Sequence, residues 1–123
     1  MKNFNILVID DDPGIRSNII RFLDRIISSF QFFEACNKTE ALNLMKEKDF
    51  DLITLDGRLL DNDHGRDVLK EMSEDQISKT IVYSAESKFI EECRTKGIRA
   101  AEKDCYTIDK LIAVEDGLIV FKI

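Results

Sequence analysis

The chain of 123 residues alternates between short apolar runs and segments of helical periodicity. In the intervening segments, apolar residues recur at three- and four-residue steps, as on one face of an amphipathic helix. Strands that alternate with helices are joined by right-handed crossovers and form a parallel sheet covered on both faces. The sequence therefore predicts an α/β fold, a doubly wound parallel sheet in one domain over 1–123. The predicted strands are 4–9, 31–36, 51–55, 80–83 and 98–102.

Start signals mark the predicted helices. Asp12 is the predicted N-cap of the first helix and precedes Pro13 at the first helical position. The apolar stripe of this helix is predicted to continue at helical spacing as far as Phe30. Asn37 is the predicted N-cap of the second helix, where Glu40 would complete a capping box. Two further helices are predicted over 65–73 and 86–96.

The C-terminal segment admits two interpretations. Ile108, Leu111 and Ile112 have helical spacing, which favours a fifth helix. After Gly117, however, the apolar run 118–121 is equally suited to a strand. The sequence leaves open whether the fifth helix continues through Gly117 or ends there.

Composition and charge narrow the classes of function. The net charge is −6 and the basic residues form no cluster, so direct nucleic-acid binding is not expected. The chain has no signal-peptide pattern and no apolar stretch of about 18 residues, so membrane insertion is not expected either. The three cysteines lack the spacing of metal ligands, which predicts reduced thiols and a cytoplasmic location.

Polar residues follow four of the predicted strands, at the point where each strand ends. Asp10 and Asp11 follow the first strand and Asp56 the third, while Ser84 and Lys103 follow the fourth and fifth. Because the carboxyl ends of parallel strands meet at one edge of a sheet, we expect these side chains to share a site. The carboxylates would repel one another by about 1 to 3 kcal/mol per pair at separations of about 5 Å, so the cluster requires a cation.

These residue types are typical of phosphoryl transfer. Carboxylate oxygens suit Mg²⁺, which binds one or two carboxylates together with a phosphate. Asp56 is a candidate nucleophile, because a carboxylate can accept a phosphoryl group to give an acyl phosphate. Ser84 and Lys103 offer a hydroxyl and an ammonium group to the phosphate oxygens.

Five short strings together resemble the receiver domain of two-component response regulators. They are Ile9-Asp10-Asp11-Asp12-Pro13, Phe33-Glu34-Ala35-Cys36-Asn37 with Glu40-Ala41-Leu42, Asp51-Leu52-Ile53-Thr54-Leu55-Asp56, Ser84-Ala85, and Lys103. The resemblance covers essentially the whole chain and implies a flavodoxin-like, five-stranded parallel sheet of order 2-1-3-4-5. It also implies a phosphoacceptor and not an enzyme, with a histidine kinase or a histidine phosphotransfer protein as the donor.

The same resemblance implies a role for each site residue. Asp56 would be the phosphoacceptor and, with Asp11, a direct Mg²⁺ ligand. Asp10 would bind the ion through water, and the backbone carbonyl of Arg58 would complete the metal site. The residues implied to hold the phosphoryl group are Ser84 and Lys103.

The chain departs from the family pattern at three places. The loop after Asp56 is one residue longer than usual, and Asp104 replaces the proline that usually follows the lysine. Ala100 stands where a switch tyrosine or phenylalanine is expected, so a flipping ring is not available there. Arg58 and Glu86 flank the expected route of water to the acyl phosphate, and we hypothesise that they pair and slow hydrolysis.

The predicted output is a contact surface with a partner protein. The resemblance places this surface on the helix over 86–96, the strand over 98–102 and a final helix. The same surface is a candidate homodimer interface. The sequence leaves two alternatives open. One is a receiver-shaped binding module that never cycles phosphate. The other is a small phosphatase of the haloacid-dehalogenase type, in which Asp10 would be the nucleophile and Asp12 the general acid.

Overall fold

The computed structural model describes residues 3–123, which form a five-stranded parallel sheet, flanking helices and a two-stranded hairpin. The elements are β1 Phe4–Ile9, α1 Pro13–Leu23, β2 Phe30–Ala35, α2 Lys38–Glu47, β3 Leu52–Leu55, α3 Gly65–Lys70, α4 Glu74–Ser78, β4 Thr80–Ser84, α5 Ser87–Thr95, β5 Ala100–Glu102, a 3-10 turn Ile108–Lys110, β6 Ile112–Glu115 and β7 Leu118–Phe121. The strand order is β2-β1-β3-β4-β5, so the predicted fold class and topology are confirmed. Within the described residues, no helix is long and apolar enough to cross a bilayer.

Two apolar layers cover the sheet, because successive residues of a strand point to opposite faces. On one face, Leu7 and Ile9 of β1 belong to a layer with residues of α2, α3 and α5. On the other face, Ile6 and Val8 belong to a layer with residues of α1 and the C-terminal segment. β3 and β4 are buried along their whole length, as expected for central strands of a covered parallel sheet.

The first two helices begin at the predicted residues. Asp12 Oδ1 accepts a hydrogen bond from the Gly14 N–H at 2.8 Å, and Asn37 Oδ1 accepts one from the Glu40 N–H at 2.8 Å. The predicted capping box of α2 is only half formed, because the Glu40 carboxylate accepts from the Cys36 N–H at 2.9 Å. The glutamate therefore secures the end of β2 to the start of α2.

α1 is shorter than its apolar stripe predicts, and the continuation to Phe30 is wrong. The N–H groups of Ile26 and Ile27 both turn back to the Leu23 carbonyl, at 3.0 and 2.9 Å, which closes the helix. Ile27 is then buried in the turn, and Phe30 pairs with Phe4 as the first residue of β2. The stripe ends early because the chain must return to the sheet edge.

The single helix predicted over 65–73 is also wrong in its last part. α3 ends at Lys70, and Ser73 opens a separate short helix, α4. Ser73 Oγ accepts from the Gln76 N–H at 3.1 Å, and the Gln76 side chain accepts from the Ser73 N–H at 2.9 Å. This complete capping box supplies the start signal that divides the segment into two helices.

The C-terminal segment contains a β-hairpin, so the predicted fifth helix is wrong. Between β5 and the hairpin, the described chain has the 3-10 turn Ile108–Lys110 in place of an α-helix. Asp116 and Gly117, with φ of 52° and 74°, both adopt the left-handed conformation of a two-residue hairpin turn. The contact surface predicted at α5, β5 and a final helix therefore has a hairpin where that helix was expected. A homodimer through this region stays a prediction.

A buried hydroxyl group leads to a stability prediction. Thr54 Oγ1, on the central strand β3, is buried and has no hydrogen-bond partner among the described residues. Thr54→Val keeps the shape of the side chain and removes the unsatisfied polar group. We expect its free energy of unfolding to rise by about 1 kcal/mol, measured by urea denaturation.

Thr80→Val on the neighbouring strand is the matched control. Thr80 is equally buried, but its hydroxyl donates to the Gln76 carbonyl at 2.8 Å. This variant should lose about 1 kcal/mol of stability. Equal changes in the two variants would contradict the assignment of Thr54 as unsatisfied.

Candidate functional site

The ends of β1, β3, β4 and β5 lie side by side at one edge of the sheet. The Asp56 N–H donates to the Ile9 carbonyl at 2.9 Å, which places Asp56 beside Asp10. The Lys103 N–H donates to the Ser84 carbonyl at 3.1 Å, which places the lysine beside the serine. Main-chain pairing of parallel strands thus brings residues from distant parts of the sequence to one place.

A largely buried ammonium group bridges two carboxylates at this edge. Lys103 Nζ lies 2.9 Å from Asp10 Oδ2 and 3.0 Å from Asp56 Oδ2. The lysine side chain is 13% exposed, and the two aspartate side chains are 2% and 6% exposed. Because water screens charges weakly at this depth, the two ion pairs are stronger than surface pairs.

The second oxygen of each carboxylate is held by the main chain. Asp10 Oδ1 accepts from the Asp12 N–H at 2.9 Å, and Asp56 Oδ1 accepts from the Gly57 N–H at 2.7 Å. Asp56 lines an open cavity at the sheet edge, whereas Asp10 is almost fully buried. Of these two carboxylates, Asp56 is therefore the one accessible to a reactant.

Asp10 takes up a proton more readily than an ordinary aspartate. Burial, and then the charge of Asp56, raise the pKa of Asp10 from 3.8 to about 6, against the lowering effect of its hydrogen bonds. Burial, the largest single influence, lowers the pKa of Lys103, but its hydrogen bonds and charge interactions with the two aspartates together outweigh burial and raise the pKa above its usual value. The lysine is therefore a fixed positive charge at neutral pH.

Three carboxylates surround a region that suits a cation. Asp10, Asp11 and Asp56 each offer an oxygen, and these oxygens lie within 4.8 Å of one another. Lys103 supplies one positive charge against these three carboxylates. An all-oxygen donor set with excess negative charge fits a hard divalent ion such as Mg²⁺.

The backbone of Arg58 is free to contribute a further oxygen. Arg58 lies opposite His64 in an isolated antiparallel bridge. The flanking residues make the hydrogen bonds of this bridge, among them the Gly65 N–H to the Gly57 carbonyl at 2.7 Å. In the described part of the chain the Arg58 carbonyl accepts no backbone hydrogen bond, and Arg58 lines the same cavity as Asp56.

The cavity has a volume of about 430 Å³ and opens to solvent. Ser84 is in its wall, where the serine Oγ accepts a hydrogen bond from the Glu86 N–H at 3.1 Å. The lining residues are Asp11, Asp12, Ile15, Asp56, Arg58, Ser84, Ala85, Glu86, Lys103 and Asp104. The six residues singled out in the sequence therefore line this cavity or, for Asp10, contact its lysine.

The sequence model of the response regulator receiver domain matches residues 6–120. The chain belongs to this family. The predicted receiver is thereby confirmed, and phosphorylation on an aspartate is the function of such domains.

Individual relatives agree with the family assignment. The receiver is 29% identical over 114 residues to sporulation initiation phosphotransferase F of Bacillus subtilis (strain 168), covering 90% of each chain. It is 25% identical to the solved response regulator TrrA of Thermotoga maritima in complex with Mg²⁺ and BeF, with a TM-score of 0.71 over 88% of this chain and 92% of that one. A response regulator from Burkholderia pseudomallei, solved with a phosphorylated aspartic acid, calcium and citrate, is 26% identical, with a TM-score of 0.71 over 93% of this chain and 68% of that one.

The phosphatase alternative finds no support in the receiver. It requires Asp10 as the nucleophile, yet Asp56 lines the open cavity and Asp10 does not. The family match over nearly the whole chain assigns it to a different class of protein.

Arg16 supports the site and was not singled out in the sequence. Its Nη1 donates to the main-chain carbonyl of Asp10 at 2.7 Å, and its Nε donates to Glu34 at 3.0 Å. The arginine therefore fastens the first turn of α1 to the ends of β1 and β2. An arginine in the first turn of a helix is common, so no sequence signal marks this one.

The hypothesised ion pair between Arg58 and Glu86 is wrong. Glu86 Oε1 instead lies 3.2 Å from His64 Nε2. The imidazole Nδ1 accepts from the Arg66 N–H at 3.0 Å, so the proton of the neutral ring is on Nε2 and faces the glutamate. His64 reaches Glu86, in the loop after β4, from the end of the loop after β3, where it is the N-cap of α3.

His64→Ala should destabilise the receiver, because it removes this helix cap, the contact with Glu86 and an edge-on contact with Phe89 at 4.7 Å between ring centroids. We expect a loss of about 2 kcal/mol by urea denaturation. His64→Asn keeps a side-chain acceptor for the Arg66 N–H and should recover about half of that loss. An asparagine variant no more stable than the alanine variant would show that the cap contributes little.

Proposed function

We propose that Asp56 accepts a phosphoryl group from a phosphohistidine of a histidine kinase or phosphotransfer protein. In this step the P–N bond to the donor histidine breaks and a P–O bond to an Asp56 carboxylate oxygen forms, giving an acyl phosphate. The observation that carries the proposal is the largely buried Lys103 ammonium, which contacts Asp56 at 3.0 Å at the edge of an open, acidic cavity.

We propose that Asp11, Asp56 and the Arg58 carbonyl hold Mg²⁺ directly, and that Asp10 binds it through water. The grouping of the three carboxylates and the free Arg58 carbonyl support this assignment. When bound, the ion offsets the charge of the carboxylates and of the phosphoryl oxygens.

Ser84 and Lys103 have complementary roles in the proposal. Phosphorylation turns the Asp56 carboxylate, with a charge of −1, into a group with a charge of about −2. The lysine ammonium already contacts Asp56, so it can pair with an oxygen of the new phosphoryl group. The Ser84 hydroxyl lines the cavity and retains its proton as a donor, since its oxygen accepts from the Glu86 N–H. Together they supply a charge and a directed hydrogen bond to the transferred group.

The wider proposal is a single receiver domain over 1–123 that is a phosphoacceptor and not an enzyme. It signals by contact with a partner protein, through a change in the populations of its surface conformations. The likeness to sporulation initiation phosphotransferase F supports a phosphotransfer partner. We keep the cytoplasm as the proposed location because the three cysteines are free thiols.

Phosphorylation with acetyl phosphate, followed by mapping of the modified peptide, tests the proposal. The wild type should be labelled on Asp56 only when Mg²⁺ is present, and Asp56→Asn should not be labelled. Absence of label on the wild type with Mg²⁺ would instead indicate a binding module that does not cycle phosphate. Label on Asp10 would contradict the proposed nucleophile.

A further inference from the structure

We propose that Tyr83 is a positioning residue for Lys103. Its phenolic hydroxyl holds the turn over 103–106, and this turn sets the direction from which the lysine reaches Asp10 and Asp56. The inference deepens the proposed function, because it names a residue on which the geometry of the same site depends.

Tyr83 reaches the turn from inside the sheet. It belongs to β4, directly before Ser84, and its side chain lies in the apolar layer shared with α1 and the C-terminal segment. The residue is 7% exposed, so the ring is fixed by packing. Its hydroxyl donates a short hydrogen bond to the Tyr106 carbonyl and lies 3.5 Å from the Lys103 carbonyl. The phenol therefore lies beside both ends of the turn.

The turn has few other restraints. β5 is only three residues long, and in the described sheet it pairs on one side alone, with β4. Beyond it, the N–H groups of Cys105 and Tyr106 share the single carbonyl of Glu102, each at 3.2 Å. Residues 104–106 are exposed, and Asp104 brings no proline ring that would restrict the backbone.

Two neighbouring residues of β4, Ser84 and Tyr83, therefore restrain the backbone before and after the Lys103 side chain. Its N–H is bound to the Ser84 carbonyl at 3.1 Å, and the turn that continues from it is bound to the Tyr83 hydroxyl. The lysine side chain is largely enclosed and its Nζ must reach two fixed carboxylates at once, so a movement of its Cα would lengthen the contacts of 2.9 and 3.0 Å that Nζ makes. Charge interactions in a buried site are sensitive to such changes.

Tyr83→Phe is the test, because it removes the hydroxyl and keeps the ring in the core. We expect phosphorylation by acetyl phosphate with Mg²⁺ to slow about fivefold. The ¹⁵N-ammonium signal of Lys103, which an ion-paired lysine shows by NMR, should broaden or exchange faster with water. Tyr106→Phe is the matched control: the turn uses only main-chain groups of Tyr106, a residue that is 51% exposed, so it should change neither result.

A double variant distinguishes positioning from a general loss of structure. In a Lys103→Met background, adding Tyr83→Phe should cause no further loss of rate, because Tyr83 acts through the lysine. A further fivefold loss in that background would overturn the proposal, as would a wild-type rate and an unchanged ammonium signal in Tyr83→Phe. If Asp56 of the wild type is never labelled, the proposed function fails, and the ammonium signal still decides the role of Tyr83.

Discussion

Gly65→Ala is expected to destabilise the receiver by about 3 kcal/mol and to displace Asp56. A Cβ atom on residue 65 would collide with the backbone carbonyl oxygen of Asp56 and would lie 3.2 Å from its carbonyl carbon and 3.3 Å from Gly57 Cα. These are main-chain atoms, so no side-chain rotation can relieve the overlap. The start of α3 would have to move away from the end of β3.

The same substitution should impair phosphorylation, because the overlap is with the residue that carries the acceptor carboxylate. The Gly65 N–H also donates to the Gly57 carbonyl at 2.7 Å, so separating the two segments costs a hydrogen bond next to the site. Urea denaturation and the rate of labelling by acetyl phosphate measure the two effects.

Gly14→Ala is the control for this prediction. Its Cβ would lie 3.1 Å from the end of the Asp12 side chain, which can shift by rotation, and Gly14 is in the first turn of α1. We expect its stability to remain within about 1 kcal/mol of the wild type. If Gly65→Ala were equally mild, the close packing of α3 against Asp56 would not be a feature of the protein in solution.

Lys103→Met is expected to cost about 3 kcal/mol of stability above pH 7, in buffer with a chelator that removes divalent ions. The substitution leaves Asp10 and Asp56 buried at 1% and 5% exposure without the cation that contacts both. Methionine has a similar shape, so the loss arises mainly from charge and not from a cavity. Labelling of Asp56 should slow about 100-fold, because the ammonium group no longer faces the incoming phosphoryl oxygens.

The stability deficit of Lys103→Met should shrink as the pH falls. Burial and the charge of Asp56 already raise the pKa of Asp10 in the wild type to about 6, and loss of the lysine raises it further. A carboxyl group whose pKa is raised by folding stabilises the folded state below its unfolded pKa and loses that contribution as the pH rises through its folded pKa. Asp10 of the unfolded chain titrates alike in both proteins, so the variant should approach the wild type as the pH falls from the variant's higher pKa to about 6, below which Asp10 is protonated in both. A deficit that is constant from pH 8 to 4 would contradict the assigned role of Asp10.

Much of the fold follows from local patterns in the sequence. The strands are short, apolar and bounded by polar residues, and the two predicted N-caps, Asp12 and Asn37, cap their helices as expected. Errors occurred where a local pattern continued past the point at which tertiary structure ended the element. The stripe to Phe30 is one example, because that residue pairs with Phe4 at the edge of the sheet.

The C-terminal error has a different origin. Ile108, Leu111 and Ile112 are all buried, as their helical spacing predicts, but Ile108 is in a 3-10 turn, Leu111 follows that turn, and Ile112 begins β6. The Asp116-Gly117 pair between two apolar runs was a hairpin signal in the sequence. It outweighs a short helical stripe, because both residues adopt a conformation that a helix excludes.

By itself, the sequence determined which chemistry is present: the aspartates, the hydroxyl and the amine that follow four of the five strands. The strand order that places these strand ends together was implied by the resemblance to receiver domains. Only the tertiary structure decided how these groups meet. It showed that Lys103 spans Asp10 and Asp56, that Glu86 pairs with His64, and that Tyr83 contacts the turn that carries the lysine. Local patterns report the period and the ends of elements. The partner of a side chain depends on loop paths and on packing between residues far apart in the chain, which no local pattern contains.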